Sequence, residues 1–290
     1  MNTAPTVSQE GPLALICGGG SLPLAVADFV AARGRKVLLF PLRGVASPVD
    51  FDKRPHHWVG FGQFGKFIRI MRTAGCRDMV FIGSLVRPAL WQIWPDIRAL
   101  LAMPRIIAAF RGGDDHLLTS VGRMAEEYGF HLLGAHEVAP EILVPEGTLG
   151  RVEASERDRA DITLGFDYLR AAGRLDVGQA VVVAGKHVLA VEAIEGTDQM
   201  LTRVAELRAN GRLRAPAGTG VLVKAPKPGQ DRRFDLPSIG PQTVDGVVRA
   251  GLAGIAVVAG STVVAEPERL VQAADRAEIF VFGAPAGPER

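Results

Sequence analysis

The residue types best suited to chemistry gather in one segment, Val221-Leu222-Val223-Lys224-Ala225-Pro226-Lys227-Pro228-Gly229-Gln230-Asp231-Arg232-Arg233-Phe234-Asp235-Leu236-Pro237. An apolar strand runs straight into Lys224, Lys227, Arg232 and Arg233, interleaved with Asp231 and Asp235. Apolar strands ordinarily end in small polar turn residues instead. Pro226, Pro228 and Pro237 fix backbone angles along the loop and hold its charged groups in place. Cations on a rigid loop suit phosphate oxygens, and a carboxylate among them can orient water or hold a metal ion. A solvated Lys/Arg loop is the plainer alternative. Asp235, set between Phe234 and Leu236-Pro237, has no helix cap to fill, so Asp235 and Lys224 are the candidate catalytic residues.

A second group of acids follows an apolar run in Val191-Glu192-Ala193-Ile194-Glu195-Gly196-Thr197-Asp198. Glu192 and Asp198 could join Asp235 around a hard divalent cation, which takes oxygen ligands and keeps several waters. Asp198 could equally be a helix N-terminal acid favoured by the dipole. Water attack on a diphosphate needs charge neutralised on its oxygens and a base to orient the water. Lys224, Lys227 and a metal would supply the first and Asp235 the second, with Thr197, Asp198 and Lys227 as candidate substrate contacts. The histidines show no HxH or HExxH spacing, so zinc chemistry is not indicated, and there is no nucleophile elbow.

Near the N-terminus, Gly18-Gly19-Gly20-Ser21-Leu22-Pro23 falls at a strand-to-helix junction, where backbone N–H groups and the helix dipole can receive an anion. Pro23 replaces the third fingerprint glycine of a dinucleotide site, and Arg43 stands where an acid would hold the ribose. No Gly-Lys-Ser/Thr follows, so this is not a phosphate loop of the Walker type. Gly62 to Lys66 and Gly83-Ser84 could form a second wall to the same crevice. Gly19, Gly20, Ser21, Leu22, Gly83 and Ser84 are therefore candidate substrate-binding residues, with a tight packing turn as the alternative. Trp91 and Trp94, bracketed by Pro88 and Pro95, could line an acyl-chain groove, although core packing is the simpler reading.

The elements that would position these groups follow from apolar periodicity. Short apolar strands at 13–17, 36–40, 79–82 and 130–133 alternate with helices at 22–32, around Phe64 to Met71, at 97–111 and at 114–128, which predicts a parallel α/β sheet. The pattern breaks over 134–155. We therefore expect an α/β chain with a Rossmann-like N-terminal domain over 1–145, a linker over 146–155 and a distinct mixed α/β C-terminal domain over 156–290. Ser155 and Asp158 look like a capping box, Gly185-Lys186 like a hairpin turn between strands at 180–184 and 187–194, and further strands are expected at 221–223, 254–259, 262–264 and 278–282. At 290 residues, two domains fit better than one. The formal charge of +2 speaks against nucleic-acid binding. Cys17 and Cys76 in apolar settings read as buried free thiols. With neither a secretory signal nor an apolar run of membrane-spanning length, a cytoplasmic protein, at most peripheral to a membrane, is expected.

Several motifs occur together and in order: the glycine triplet with Ser21-Leu22-Pro23, Gly134-Ala135-His136-Glu137, Gly173-Arg174-Leu175-Asp176-Val177-Gly178-Gln179, Glu195-Gly196-Thr197-Asp198, Lys224-Ala225-Pro226-Lys227-Pro228, and Asp235-Leu236-Pro237-Ser238-Ile239-Gly240. In this combination, spanning residues 13 to 283, the chain resembles the UDP-2,3-diacylglucosamine pyrophosphatases of the LpxI type. The resemblance implies Mg²⁺-dependent hydrolysis of UDP-2,3-diacylglucosamine to 2,3-diacylglucosamine 1-phosphate (lipid X) and UMP, a step of lipid A biosynthesis. It also implies a ligand held between two domains, a domain-exchanged homodimer and an essential aspartate matching Asp235; peripheral contact with the inner membrane is a separate expectation. Two other classes remain open: an NAD(P)-dependent reductase using the glycine turn, and a non-catalytic nucleotide-sugar or lipid-binding module.

Overall fold

In the computed structural model, which describes residues 11–84, 96–97, 122–175 and 177–286, the chain divides into two compact units. One takes residues up to Glu141 together with Asp231–Asp235; the other takes Ile142–Gln230 and everything from Leu236 onward.

The first unit runs β1 (Leu13–Cys17), α1 (Leu22–Ala32), β2 (Val37–Pro41), α2 (Pro48–Phe51), α3 (Phe64–Thr73), β3 (Asp78–Ile82), β4 (His131–Leu132) and α4 (Ala135–Val138). Its sheet has the order β2-β1-β3-β4 with every pair parallel. Every residue of β1 is buried. Its apolar run therefore does not alternate, as expected of a strand covered on both faces. The spacing of Phe67, Ile68 and Met71 turns all three inward from α3, each contributing about 1.5–3 kcal/mol by leaving water. Cys17 and Cys76 are buried free thiols, and burial pushes the Cys17 thiol up to about 12. The expected helix at 97–111, most of that at 114–128, and Trp91 and Trp94 lie outside the described residues; 122–127 are helical.

The second unit comprises β5 (Gly147–Leu149), α5 (Glu156–Ala172), β6 (Ala180–Ala184), β7 (His187–Val191), α6 (Gly196–Ala209), β8 (Val221–Lys224), β9 (Ser238–Ile239), α7 (Pro241–Arg249), β10 (Gly254–Val258), β11 (Val263–Val264), α8 (Pro267–Arg276) and β12 (Phe280–Ala284). Its six-stranded sheet has the order β5-β12-β10-β8-β6-β7, and β9 pairs with β11 in a separate two-stranded sheet. Strands β8, β10 and β12 are parallel, while β5 and β6 run against their neighbours. Alternate residues of each strand point to opposite faces. Val182, Leu222 and Ile255 pack with Met200, Leu201, Val244 and Leu270 of α6, α7 and α8. Val181, Val183 and Val223 pack with Ile162 and Leu169 of α5.

Local sequence chemistry sets several boundaries. Ser155 and Asp158 exchange the two bonds of a capping box at the start of α5, 3.0 Å and 3.3 Å long. Gly185 and Lys186 both take positive φ in the β6–β7 turn, as a two-residue hairpin of this type requires. The last strand begins at Phe280 rather than 278, because Glu278 sits at φ 55 and cannot continue a strand. Residues 146–155, read from composition as a linker, hold the edge strand β5 instead. It pairs antiparallel with β12 through Gly147↔Gly283 and Leu149↔Val281; too few residues and too little alternation mark it in the sequence.

Candidate active site

Lys224 ends β8 and is only 7% exposed. A buried ammonium is tolerated only where polar partners replace water. Its Nζ donates to Thr197 Oγ1 and to the Ser238 carbonyl, both at 3.0 Å. The Thr197 hydroxyl donates in turn to Glu192 Oε1 at 2.9 Å, and Glu192 Oε2 accepts from the Gln179 N–H at 2.8 Å. Sheet register brings these groups together. Ala180 faces Lys224 across the β6–β8 ladder, and its carbonyl accepts from the Glu192 N–H at 2.9 Å. Gln179 and Gly178 therefore close over Glu192. A Cβ on Gly178 would come within 2.7 Å of the Glu192 backbone carbon, so the Gly173-to-Gln179 motif owes its last glycine to this approach.

Of the other residues singled out in this unit, Asp198 is exposed in the first turn of α6. Lys227 opens a turn in which its N–H donates to Gln230 Oε1 at 3.1 Å and the Gln230 N–H returns to the Lys227 carbonyl. Glu192 and Asp198 belong to the second unit and Asp235 to the first. Among the described residues, no group of three or more His, Cys, Asp or Glu side chains gathers to hold a metal ion, and both Glu192 oxygens already accept protein donors. Within the second unit, Glu192 and Asp198 thus do not by themselves make a ready-made Mg²⁺ cage. The Thr197 hydroxyl, read as a substrate contact, already gives its hydrogen to Glu192.

Asp235 lies in a turn that packs within the first unit, with the Phe234 and Asp235 N–H groups on the Asp231 carbonyl at 3.0 Å and 3.2 Å. Phe234 joins the core of that unit, its ring centroid 5.8 Å from that of Phe81. Arg233 forks onto Asp231, with its Nη2 2.8 Å from Oδ2, and reaches Glu126 at 3.2 Å. That guanidinium holds the Asp231 carboxyl below its usual range. In the Gly134-to-Glu137 motif, the Gly134 N–H donates to Glu137 Oε2 as α4 begins. Burial, followed by the nearby Arg232 charge, lowers His136.

The glycine turn of the first unit is engaged partly in packing. The Gly18 N–H donates to the Ile82 carbonyl at 2.8 Å, and Gly19 and Ser84 exchange backbone bonds at 2.9 Å and 3.0 Å. Gly83, at φ 97, passes so close that a Cβ would stand 2.7 Å from the Gly19 carbonyl oxygen. The structure thus brings Gly19, Gly83 and Ser84 together where strand order reverses between β1 and β3, the usual ligand edge of such sheets. Two of the amides expected to meet an anion are thus already bonded, and Leu22 opens α1, a helix with no acid in its first turn. The Gly62-to-Lys66 wall is occupied from within: Asp96 Oδ2 accepts from the Gly65 N–H at 2.6 Å and from Lys66. Gln179 and Ser238 stand in the motifs quoted above, but their contacts use backbone groups, which side-chain identity does not reveal.

A Rossmann-like unit with a glycine turn, joined to a mixed α/β unit with a buried, hydrogen-bonded lysine, defines a two-unit α/β protein. Residues 12–142 match the family described as LpxI N-terminal domain and residues 145–282 that described as LpxI C-terminal domain. The UDP-2,3-diacylglucosamine pyrophosphatase LpxI of Caulobacter vibrioides is 46% identical over 271 residues, covering 93% of this chain and 96% of that protein. The chain belongs to the LpxI family of UDP-2,3-diacylglucosamine pyrophosphatases. The resemblance is corrected in one respect. The name LpxI belongs to the relative and to two separate domain families, matched over residues 12–142 and 145–282, and not to a single pattern from 13 to 283.

Proposed function

We propose that this chain hydrolyses the pyrophosphate bond of UDP-2,3-diacylglucosamine, giving 2,3-diacylglucosamine 1-phosphate and UMP in lipid A biosynthesis. The observation that carries this reading is the 46% identity across nearly the whole of both chains to a relative bearing that name. The buried Lys224 supports it chemically, because an ammonium fixed by two oxygens is preorganised for diphosphate charge. Lys224 is the phosphate-binding cation in this reading and Asp235 the carboxylate that orients water, with Lys227 and Asp198 as further substrate contacts. Gly20, Ser21 and Leu22 offer the N-terminal unit's anion site. Mg²⁺ is proposed as the cofactor from the resemblance, and when bound it would supply charge neutralisation.

A homodimer is proposed from the resemblance alone, and peripheral contact with the cytoplasmic face of the inner membrane is proposed beside it. No helix among the described residues is long and apolar enough to cross a membrane. The test is chromatographic release of UMP from UDP-2,3-diacylglucosamine by the purified chain, with and without EDTA. Release by the wild type, falling about 10²–10³-fold in Lys224→Met, is expected; intact substrate with the wild type would overturn the reading.

A further inference from the structure

We propose that Glu192 is a positioning residue that acts through Thr197 on Lys224, and not a ligand to the metal. The inference rests on the reading of Lys224 as the phosphate-binding cation. The direction of the hydrogen-bond chain is fixed by chemistry. An ammonium can only donate and a carboxylate can only accept, so the Thr197 oxygen accepts a hydrogen bond from Lys224 and donates its single hydrogen to Glu192. The second Glu192 oxygen is held by the Gln179 N–H, so the carboxylate cannot rotate without losing a partner. Such a chain aligns its dipoles and strengthens each bond. It delivers negative charge to a lysine that is 7% exposed without touching it. Gly178 leaves the room this arrangement needs.

The experiment is a double-mutant cycle in the full chain with Glu192→Gln and Thr197→Val, with Thr197→Ser as the conservative control. A glutamine at 192 must turn its amide nitrogen toward either the Gln179 N–H, losing that bond, or Thr197, reversing the bond so that the hydroxyl hydrogen has no acceptor there. Thr197→Val removes the hydroxyl at nearly constant volume. Each of these variants should lower kcat by about tenfold or more, with the double variant no worse than the poorer single, because both break one chain. Thr197→Ser should restore most of the rate, and the Mg²⁺ concentration for half-maximal rate should not move. Independently of turnover, ¹⁵N NMR of the lysine side chains should show a protected Lys224 ammonium signal that both Glu192→Gln and Thr197→Val weaken.

Multiplying losses would overturn the proposal. So would an increased Mg²⁺ requirement in Glu192→Gln with the ammonium signal intact, which is the behaviour of a metal ligand. Should the wild type leave UDP-2,3-diacylglucosamine uncleaved while both variants still release the Lys224 ammonium, the assigned substrate falls and the positioning role stands. If Glu192→Gln does not fold, Thr197→Val against Thr197→Ser decides by the same signal.

Discussion

At the scale of single residues, the chemistry of this chain depends on how charge is held. His136 is pushed below its ordinary 6.5 by burial and Arg232. Its neutral form therefore favours the folded state, with stability fully present above about pH 6.5 and lost as pH falls through the lower folded value. Melting temperature followed from pH 7 to pH 5 should decline over that window, and His136→Gln should flatten that part of the curve; equal slopes in both proteins would contradict it. The Asp231 carboxyl, lowered first by its bond to Arg233, keeps the turn clipped above its ordinary 3.8 and loses that contribution only in stronger acid. Cys17, pushed up to about 12 in a buried strand, should resist iodoacetamide at pH 8 until the protein is denatured. Mass spectrometry of the strand-β1 peptide reads this directly, and rapid native labelling would refute it.

At the scale of elements, close approach matters more than composition. Gly178→Ala should destabilise the second unit by about 1–3 kcal/mol, because the added methyl meets the Glu192 backbone and one element must shift. Because Glu192 sets Thr197, activity should fall together with stability in a denaturant titration paired with a rate measurement. Phe234→Ala should loosen the turn that carries Asp235, with turnover falling more than thermal stability, since the ring anchors the turn to the first unit through Phe81. Unchanged turnover would show that the anchor is dispensable.

Much of this architecture could be read from the sequence. The periodicity of Phe67, Ile68 and Met71, the Ser155–Asp158 capping box and the Gly185-Lys186 turn are local signals, and each stands where local chemistry puts it. Edge strand β5 and the assignment of Asp231–Asp235 to the first unit were not legible, because both follow from pairing with residues distant in sequence. The phenylalanine inside a charged loop was the one local sign of the latter. Lys224 and Asp235 stood out by residue type, whereas the Gln179 and Ser238 contacts to Glu192 and Lys224 are made by backbone atoms.

At the scale of the whole molecule, the two matched domain families cover nearly the entire chain, and we propose a single reaction on a UDP-linked diacylated sugar for the two together. Phosphorus NMR of UDP-2,3-diacylglucosamine with the purified protein and Mg²⁺, run beside Asp235→Asn, reads that reaction at its own bond. The diphosphate resonances should give way to those of UMP and a sugar 1-phosphate with the wild type, and persist with Asp235→Asn although the variant remains folded. A diphosphate left unchanged by the wild type would contradict the assigned reaction, and full turnover by Asp235→Asn would remove Asp235 from it.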